Sequence, residues 1–476
     1  MKASHAATSL AVVALAGSAL AQLAPLEHPS GVYFGAWLDS RPGFDSPQAF
    51  NKRVGHNAAF FQLAYDFPLN FNTPPPVEIL DYTQTDALLY VTIYPKKDGI
   101  TNMTGNQALQ QFTDADVAEL VKQLVGFVVR GRKVFVRLFP EMNGSWNPWG
   151  QRPVAYTTQW RRIVNAVRSS PALPADRKDW IAFVWAPSAA VTRGGGYPFS
   201  GGDNTPFTPN TGTLTSRTAA NATEFAALDT NKDGNFNEQD DPYSPYYPGN
   251  EYVDWVGSSI YYYGNTWPWE KNELPVPTSF VEQLTGTPPN ARSINFYDVY
   301  ASRNNKPMML VETNAAFHEY LLQGRAAVDP GPGELAIKQA FWKQYMTSPS
   351  FLSTYNKIKA ICLFEFQKDE ETTHRDFQIT NDSIILAAFK KDFEVQDVYS
   401  KYIFGNCSAA AGAQLVNCTA DAGPSSQPTT TDDNAAVGSD GKKAGGGSTS
   451  AGVSTSVSAV FMGVLSVAAA GLWAWL

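Results

Sequence analysis

Short apolar runs recur along the chain, separated by polar or helix-like sequence. Eight stand out: GVYFGAWLD from Gly31, AAFFQLAYDF from Ala58, ALLYVTIYP from Ala87, KVFVRLFPE from Lys133, WIAFVWAP from Trp180, YVDWVGSSIY from Tyr252, PMMLVETN from Pro307 and IKAICLFEF from Ile358. Most are nearly continuous in apolar residues, as strands covered on both faces must be. Between the third and fourth runs, ADVAELVKQLVGFVVRG instead repeats Val117, Leu120, Val121, Leu124 and Val128 at helical spacing and stops at Gly131. YTTQWRRIVNAVR after the fourth run and ELAIKQAFWKQYM after the seventh keep the same period, which assigns Tyr156, Trp160, Ile163 and Trp342 to helix faces packed on the strands. Eight strands alternating with helices predict an α/β fold, a (β/α)8 TIM barrel. It is expected to form one catalytic domain over residues 22–405, with a long loop insertion between strands five and six.

The ends of the chain follow another pattern. Lys2, the apolar SLAVVALAGSALA and Ala19-Leu20-Ala21 read as a signal peptide over residues 1–21, cleaved before Gln22. Residues 457–476 are apolar to the last residue, behind the polar spacer STSAGVSTS and the small-residue cluster KKAGGG. That order predicts a GPI-attachment signal over 448–476, with the anchor added near Ala444 to Ser448. A plain C-terminal transmembrane helix is the alternative reading of the tail. Residues 406–447, poor in aromatics and rich in Ser, Thr, Gly and Asp, read as a solvated, O-glycosylated stalk. The expectation is a secreted monomer at the cell surface, touching a membrane only through its anchor.

Composition narrows the choice of partner. A formal charge of −8 argues against nucleic acid, which needs clustered Lys and Arg. With 12 Trp, 21 Tyr and 28 Phe, the chain carries more aromatic surface than its core demands. Cys407 and Cys418 flank the start of the stalk, where an oxidising route lets them pair, while Cys362 sits in an apolar run as a buried thiol. Sequons at Asn102, Asn221, Asn381, Asn406 and Asn417 fit a secreted surface. Asn143 is also a formal sequon, in a stretch where a glycan would block function.

If the barrel is right, polar chemistry should cluster where strands stop. Asp39, Asp66, Glu141, Tyr261, Glu312 and Glu365 all lie at or near such ends. Glu141 and Glu312 end strands four and seven, which face each other across the barrel mouth. A lone strand-end glutamate is commonly a salt-bridge partner. Two in this relation, with Trp146, Trp149, Tyr261, Trp267 and Trp269 nearby to stack on pyranose faces, suit glycoside hydrolysis. That reaction needs one carboxylic acid to protonate the leaving oxygen and one carboxylate to attack or to activate water.

The stretch RLFPEMNGSWNPWG resembles the signature of glycoside hydrolase family 26, the β-mannanase family. The resemblance implies that Glu141 is the general acid/base and, through KPMMLVETNA, that Glu312 is the nucleophile. YYPGNEYVDWVGSSIYYYG is similar to the family's strand-six region and makes Tyr261 the phenol touching the nucleophile; LFEFQKDEETTHRDFQIT is similar to its strand-eight loop. Similarity covers roughly Gly31 to Ile379. Arg137, four residues before Glu141, matches a family arginine and is placed to keep Glu312 ionised by opposite charge. The substrate-binding set is Arg137, Asn143, Trp146, Trp149, Trp185, Tyr261 and Trp267. Many family members have histidine before the acid/base; this chain has Pro140, which leaves the two-carboxylate reaction intact and opens the question of substrate. The expected activity is retaining, endo-acting cleavage of a β-linked polysaccharide, with β-1,4-mannan leading and β-1,3-xylan and mixed-linkage β-glucan as family alternatives. A catalytically idle polysaccharide-binding protein and a wall-remodelling transglycosylase are the competing readings.

One further motif stands apart. DTNKDGNFNEQD places Asp229, Asn231, Asp233, Asn237 and Asp240 at positions 1, 3, 5, 9 and 12 of an EF-hand-type loop, with Gly234 at 6 and the Asn235 carbonyl at 7. Asp at position 12 resembles the loops of dockerin modules. The loop is expected to bind a structural Ca²⁺ through Asp229, Asn231, Asp233, Asn235 and Asp240, stiffening a cleft wall without joining the chemistry. RGGGYP lacks the Lys-Ser/Thr of a phosphate loop, the histidines form no H-x-x-x-H pair for zinc, and no G-x-S-x-G is present. Glu365, Asp369 and Arg375 read equally as sugar contacts or as a loop salt-bridge network.

Overall fold

A computed structural model describes residues 22–408 and 418, apart from 40–43, 68–75, 97–105, 145, 148, 191–221, 235, 237–238, 267 and 287–293. The expected signal peptide, most of the stalk, the anchor signal, Trp267, Asn235 and Asn237 therefore lie outside the described residues. Each apolar run becomes a strand: β1 Val32–Leu38, β2 Phe60–Asp66, β3 Leu88–Tyr94, β4 Val134–Leu138, β5 Ile181–Trp185, β6 Trp255–Tyr262, β7 Met308–Ala315 and β9 Ile358–Glu365. All neighbouring pairs are parallel, and β9 closes on β1 through six registered residue pairs from Tyr33–Ala360 to Leu38–Glu365. The result is the (β/α)8 barrel that the strand pattern predicts.

Two apolar layers hold it. Phe60, Tyr90, Phe135, Ala182, Val184, Trp255, Met309 and Cys362 point inward and fill the barrel. The alternate residues of the same strands, such as Val134, Val136, Phe183 and Leu310, pack outward under the helices. The helix Asp114–Val129 begins in a capping box between Thr113 and Asp116, and the helix Pro153–Arg168 buries Tyr156, Trp160 and Ile163 against the strands, as its period requires.

β7 breaks the alternation. Ser258 and Ser259 of β6 pair with Leu310 and Glu312, skipping Val311, and the register with β9 shifts over the same residues. Met309 and Val311 face inward by plain alternation, and the bulge then resets the phase so that Thr313 turns out to the Tyr345 hydroxyl (3.1 Å). Glycine is needed opposite: a Cβ on Gly257 would stand 2.6 Å from Val311 Cγ1 and 2.8 Å from the Met309 carbonyl.

Strands absent from the sequence reading complete the molecule. β8 (Phe317–Leu321), β10 (Gln367–Glu370) and β11 (Thr373–Asp376) form an antiparallel sheet following β7 and β9. β12 (Tyr402–Ile403) pairs with Val32 and Tyr33 at the start of β1. From there the chain crosses the N-terminal strand ends: Gly405 N–H donates to the Asn57 carbonyl, Asp86 and Asn406 exchange backbone and side-chain bonds, and Cys407 bridges to Cys418. A cavity of about 660 Å³ lies on this face, lined by Tyr33, Asp86, Arg132, Phe404 and Asn406. It is remote from the glutamates at the opposite strand ends. Among the described residues, no helix is long and apolar enough to cross a membrane.

Candidate active site

β4 ends at Leu138, so strand alternation does not carry Glu141 to the mouth; a turn does. Phe139 and Glu141 both adopt φ of 51° around Pro140, a left-handed conformation that costs side-chain-bearing residues energy and persists only where neighbours over-determine it. The neighbours are hydrogen bonds. The Pro140 carbonyl accepts from Trp149 Nε1 (2.9 Å) and Asn147 Nδ2 (3.2 Å), and the Glu141 carbonyl accepts from Gly144 N–H (2.9 Å). Asn143 locks the turn to the strand-five loop, its amide donating to the Ser188 carbonyl and accepting from the Ser188 N–H, both at 2.9 Å. The half-buried Glu141 carboxyl then accepts from the Trp146 indole N–H at 2.8 Å.

The β7 bulge supplies the second carboxylate. Arg137, pointing into the barrel from β4 and wholly buried, donates to Glu312 Oε1 and, at 3.0 Å, to Ser259 Oγ. The Tyr261 hydroxyl donates to Glu312 Oε2 at 2.7 Å. Burial, followed by the charge of Glu312, pushes the Tyr261 phenol well above its ordinary range, which keeps it a proton donor. Glu312 thus sits 7 % exposed with a guanidinium and a phenol as partners.

Glu141 has a different environment. Burial first, then the negative charge of Glu312, raises its pKa, while Arg137 and the bond from Trp146 pull the other way. One carboxyl is biased toward its protonated form and the other is held by cationic and phenolic donors. Such a pair can protonate one oxygen and attack an adjacent carbon.

Several expected sugar ligands have other work. Trp185 lies on the outer face of β5, fully buried, donating to the Tyr246 carbonyl (3.0 Å) and stacked on Phe296. Trp149 spends its N–H inside the turn and sets its ring edge-on to Tyr94. Asn143 spends its amide on Ser188 and has no exposed surface for sugar or glycan. Arg137 lies beneath Glu312, so it serves that carboxyl and has no surface of its own to offer a ligand. Trp146 and Tyr261 remain half-exposed at the mouth, and Trp269 stacks on Tyr263 at 5.4 Å.

The strand-eight candidates resolve toward the network. Glu365 accepts from the Ile379 and Thr380 amides and the Thr380 hydroxyl, tying down the chain that follows the accessory sheet. Arg375 is buried between Glu370 and Glu371, over the Tyr263 ring, and Asp369 bonds His374. Ser259 was missed, although its spacing two residues before Tyr261 on one strand places both on the same face.

In the 229–240 loop, Gly234 N–H donates to Asp229 Oδ2 (2.9 Å), and the Thr230 and Asn231 amides converge on Asp240 Oδ1 (2.7 and 3.3 Å). The oxygen-rich donor set and glycine turn suit a hard cation. Among the described residues, however, no three His, Cys, Asp or Glu side chains are gathered closely enough to hold a metal ion. Just before the loop, Glu224 caps the helix Pro153–Arg168, accepting from Val154 and Ala155 N–H.

No protein-family model matches the chain, and no curated protein matches it. Among solved structures, it is similar to the catalytic domain of a GH26 endo-β-1,4-mannanase from Bacillus sp. JAMB-750, at 14% identity over 79% of this chain and 87% of that one, TM-score 0.45. It is also similar to a Cellulomonas fimi endo-β-1,4-mannanase double mutant, at 13% identity over 81% and 76%, TM-score 0.45. Bacillus subtilis mannanase man26 gives 16% identity over 71% and 81%, TM-score 0.37.

Proposed function

We propose that this chain is a retaining glycoside hydrolase that cleaves internal bonds of a β-linked polysaccharide, β-1,4-mannan first among the candidates. The observation that carries this reading is the unequal treatment of two glutamates at one barrel mouth: Glu312 is held by Arg137 and Tyr261, and Glu141 is pushed toward its acid form. In the first step Glu141 gives its proton to the glycosidic oxygen as Glu312 attacks the anomeric carbon; the carbon–oxygen bond to the leaving sugar breaks and a glycosyl ester forms. Glu141, now a carboxylate, removes a proton from water, which attacks the same carbon and frees Glu312. Two inversions give net retention.

Arg137 and Tyr261 hold the nucleophile's oxygens, and their interactions with Glu312 must rearrange as its charge passes into the ester. Pro140 brings no imidazole to the mouth, so sugar selection falls to the Tyr261, Tyr263 and Trp146 surfaces. Retention predicts carboxyl separations of about 5–5.5 Å, against roughly 6.5–9.5 Å for inversion. Following mannan cleavage by ¹H NMR checks it: the first product should carry the β anomer, and an α first product rejects the assignment. If acceptor sugar replaces water, transfer products appear; if nothing turns over while sugar still binds, the chain is an idle binding protein.

The 229–240 loop is proposed to take one Ca²⁺ through Asp229, Asn231, Asp233, the Asn235 carbonyl and Asp240, supported by the Gly234–Asp229 turn. Its contribution would be stability of the wall next to Glu224. Secretion is proposed on the signal-like start together with the Cys407–Cys418 bridge, which suits an oxidising compartment.

A further inference from the structure

We propose that Trp146 is a positioning residue for the proton donor: its indole N–H holds one carboxylate oxygen of Glu141 so that the other delivers the proton, and Gly144 is the space that this indole requires. The proposal rests on the glycosidase reading for its kinetic consequences and on geometry for the rest. Trp146 Nε1 lies 2.8 Å from Glu141 Oε2. The ring reaches that point by lying directly on the backbone of the same turn: a Cβ added to Gly144 would stand 2.4 Å from both Trp146 Cε2 and Cζ2. The turn is equally tight below, where a Cβ on Gly150 would meet the Gly144 carbonyl at 1.8 Å. Gly144 N–H is bonded to the Glu141 carbonyl, so the residue that makes room for the indole also fixes the backbone of the acid.

A carboxyl group has two oxygens and an acid needs only one for its proton. An N–H donor on the other oxygen selects which side carries the hydrogen and supplies a partner for the negative charge left behind. That partner matters because the surroundings otherwise oppose the charge. Glu312 on β7 is negative, and the Tyr94, Tyr261 and Tyr263 phenols stay neutral. Arg137 on β4 is the positive group facing Glu141, and it is committed to Glu312 and Ser259. Burial and then Glu312 raise the acid; Arg137 first, then the Trp146 bond and the Ser259 hydroxyl, limit a shift that stays upward. Proton transfer is most efficient when the donor's pKa lies near the working pH. Trp146 therefore acts on the proton donor whether or not its ring face also meets sugar.

The test compares the full chain with Trp146→Phe, which keeps a ring and loses the N–H, and Gly144→Ala, which displaces the indole while leaving it in the sequence. Glutamate Cδ is labelled with ¹³C, and the Glu141 signal is identified by its loss in Glu141→Gln. The titration midpoint of Glu141 should move upward in both variants. The alkaline limb of kcat/KM should follow it, because the required acid form then survives to higher pH. Cleavage of substrates with poor leaving groups should fall about tenfold or more at neutral pH from misplacement of the acid. An unchanged Glu141 midpoint in Trp146→Phe overturns the proposal, as does a downward move; Gly144→Ala decides it if Trp146→Phe fails to fold. Should the wild-type chain turn over no polysaccharide, the glycosidase reading fails and the midpoint comparison still decides the role of Trp146.

Discussion

The ends of β4 and β7 present the same side chain by opposite means. Glu312 belongs to a strand, is turned inward by one skipped residue in the register, and receives a buried guanidinium and a phenol. Glu141 belongs to a turn beyond its strand, stands at φ 51°, and receives an indole N–H. The chemistry of the two carboxyls is therefore written in their supports: full charge beneath one, a neutral donor beside the other. Acid and base assignments follow from environments that push two like groups apart.

The largest effect should come from erasing the β7 side. Glu312→Ala should lower kcat by roughly 10⁴-fold or more, the scale of losing a covalent nucleophile, while sugar binding survives in calorimetry. Glu141→Ala should be milder, about 10²–10⁴-fold on poor leaving groups, while on activated leaving groups, which depart without an acid, added azide should restore turnover as the β-glycosyl azide. Equal losses on activated and unactivated substrates would remove the distinction between the two ends. The wild-type rate should also fall as pH rises through the raised Glu141 pKa, since the acid form is the one required.

Arg137→Met tests whether charge holds the Glu312 carboxyl. Removing one partner of a buried ion pair typically costs 3–5 kcal/mol, so chemical denaturation should show a loss of about that size, together with lost activity. A stable, active variant would mean that Tyr261 suffices. The smallest effect belongs to the 229–240 loop. Excess EDTA should lower the melting temperature by linkage, up to about 2.7 kcal/mol if free calcium stood at 100 times Kd, with little change in kcat at low temperature. Unchanged melting and no stoichiometric calcium would reduce the 229–240 loop to an ordinary turn.

The barrel was legible because strands buried on both faces must be apolar throughout, and runs such as ALLYVTIYP have no other use. That same uniformity hid which way each side chain points. In WIAFVWAP either parity is apolar, so nothing marked Trp185 as facing the helices and not the mouth. In PMMLVETN, strict alternation from the inward Met309 would send Glu312 outward; the correction lies in a register mismatch with β6 that no single run contains. The accessory strands Gln367–Glu370 and Thr373–Asp376 pair with each other as a hairpin but are mostly polar, so no apolar run marks them; only the second also pairs with β8, which is distant in sequence. The turn after β4 brings its carboxylate to the mouth and spends most of its neighbours on its own bend. Asn143 and Trp149 are polar-tipped residues beside an acid, yet their tips are consumed in bending the chain.

The exit of the chain across the N-terminal strand ends fixes an orientation. Residues 402–408 are stitched to Val32, Asn57, Thr85 and Asp86, at the barrel end opposite the glutamates. The described chain therefore leaves the barrel on the side away from Glu141 and Glu312. A long polymer approaching the glutamates would thus meet a mouth clear of residues 402–408, which are taken up at the far end of the barrel.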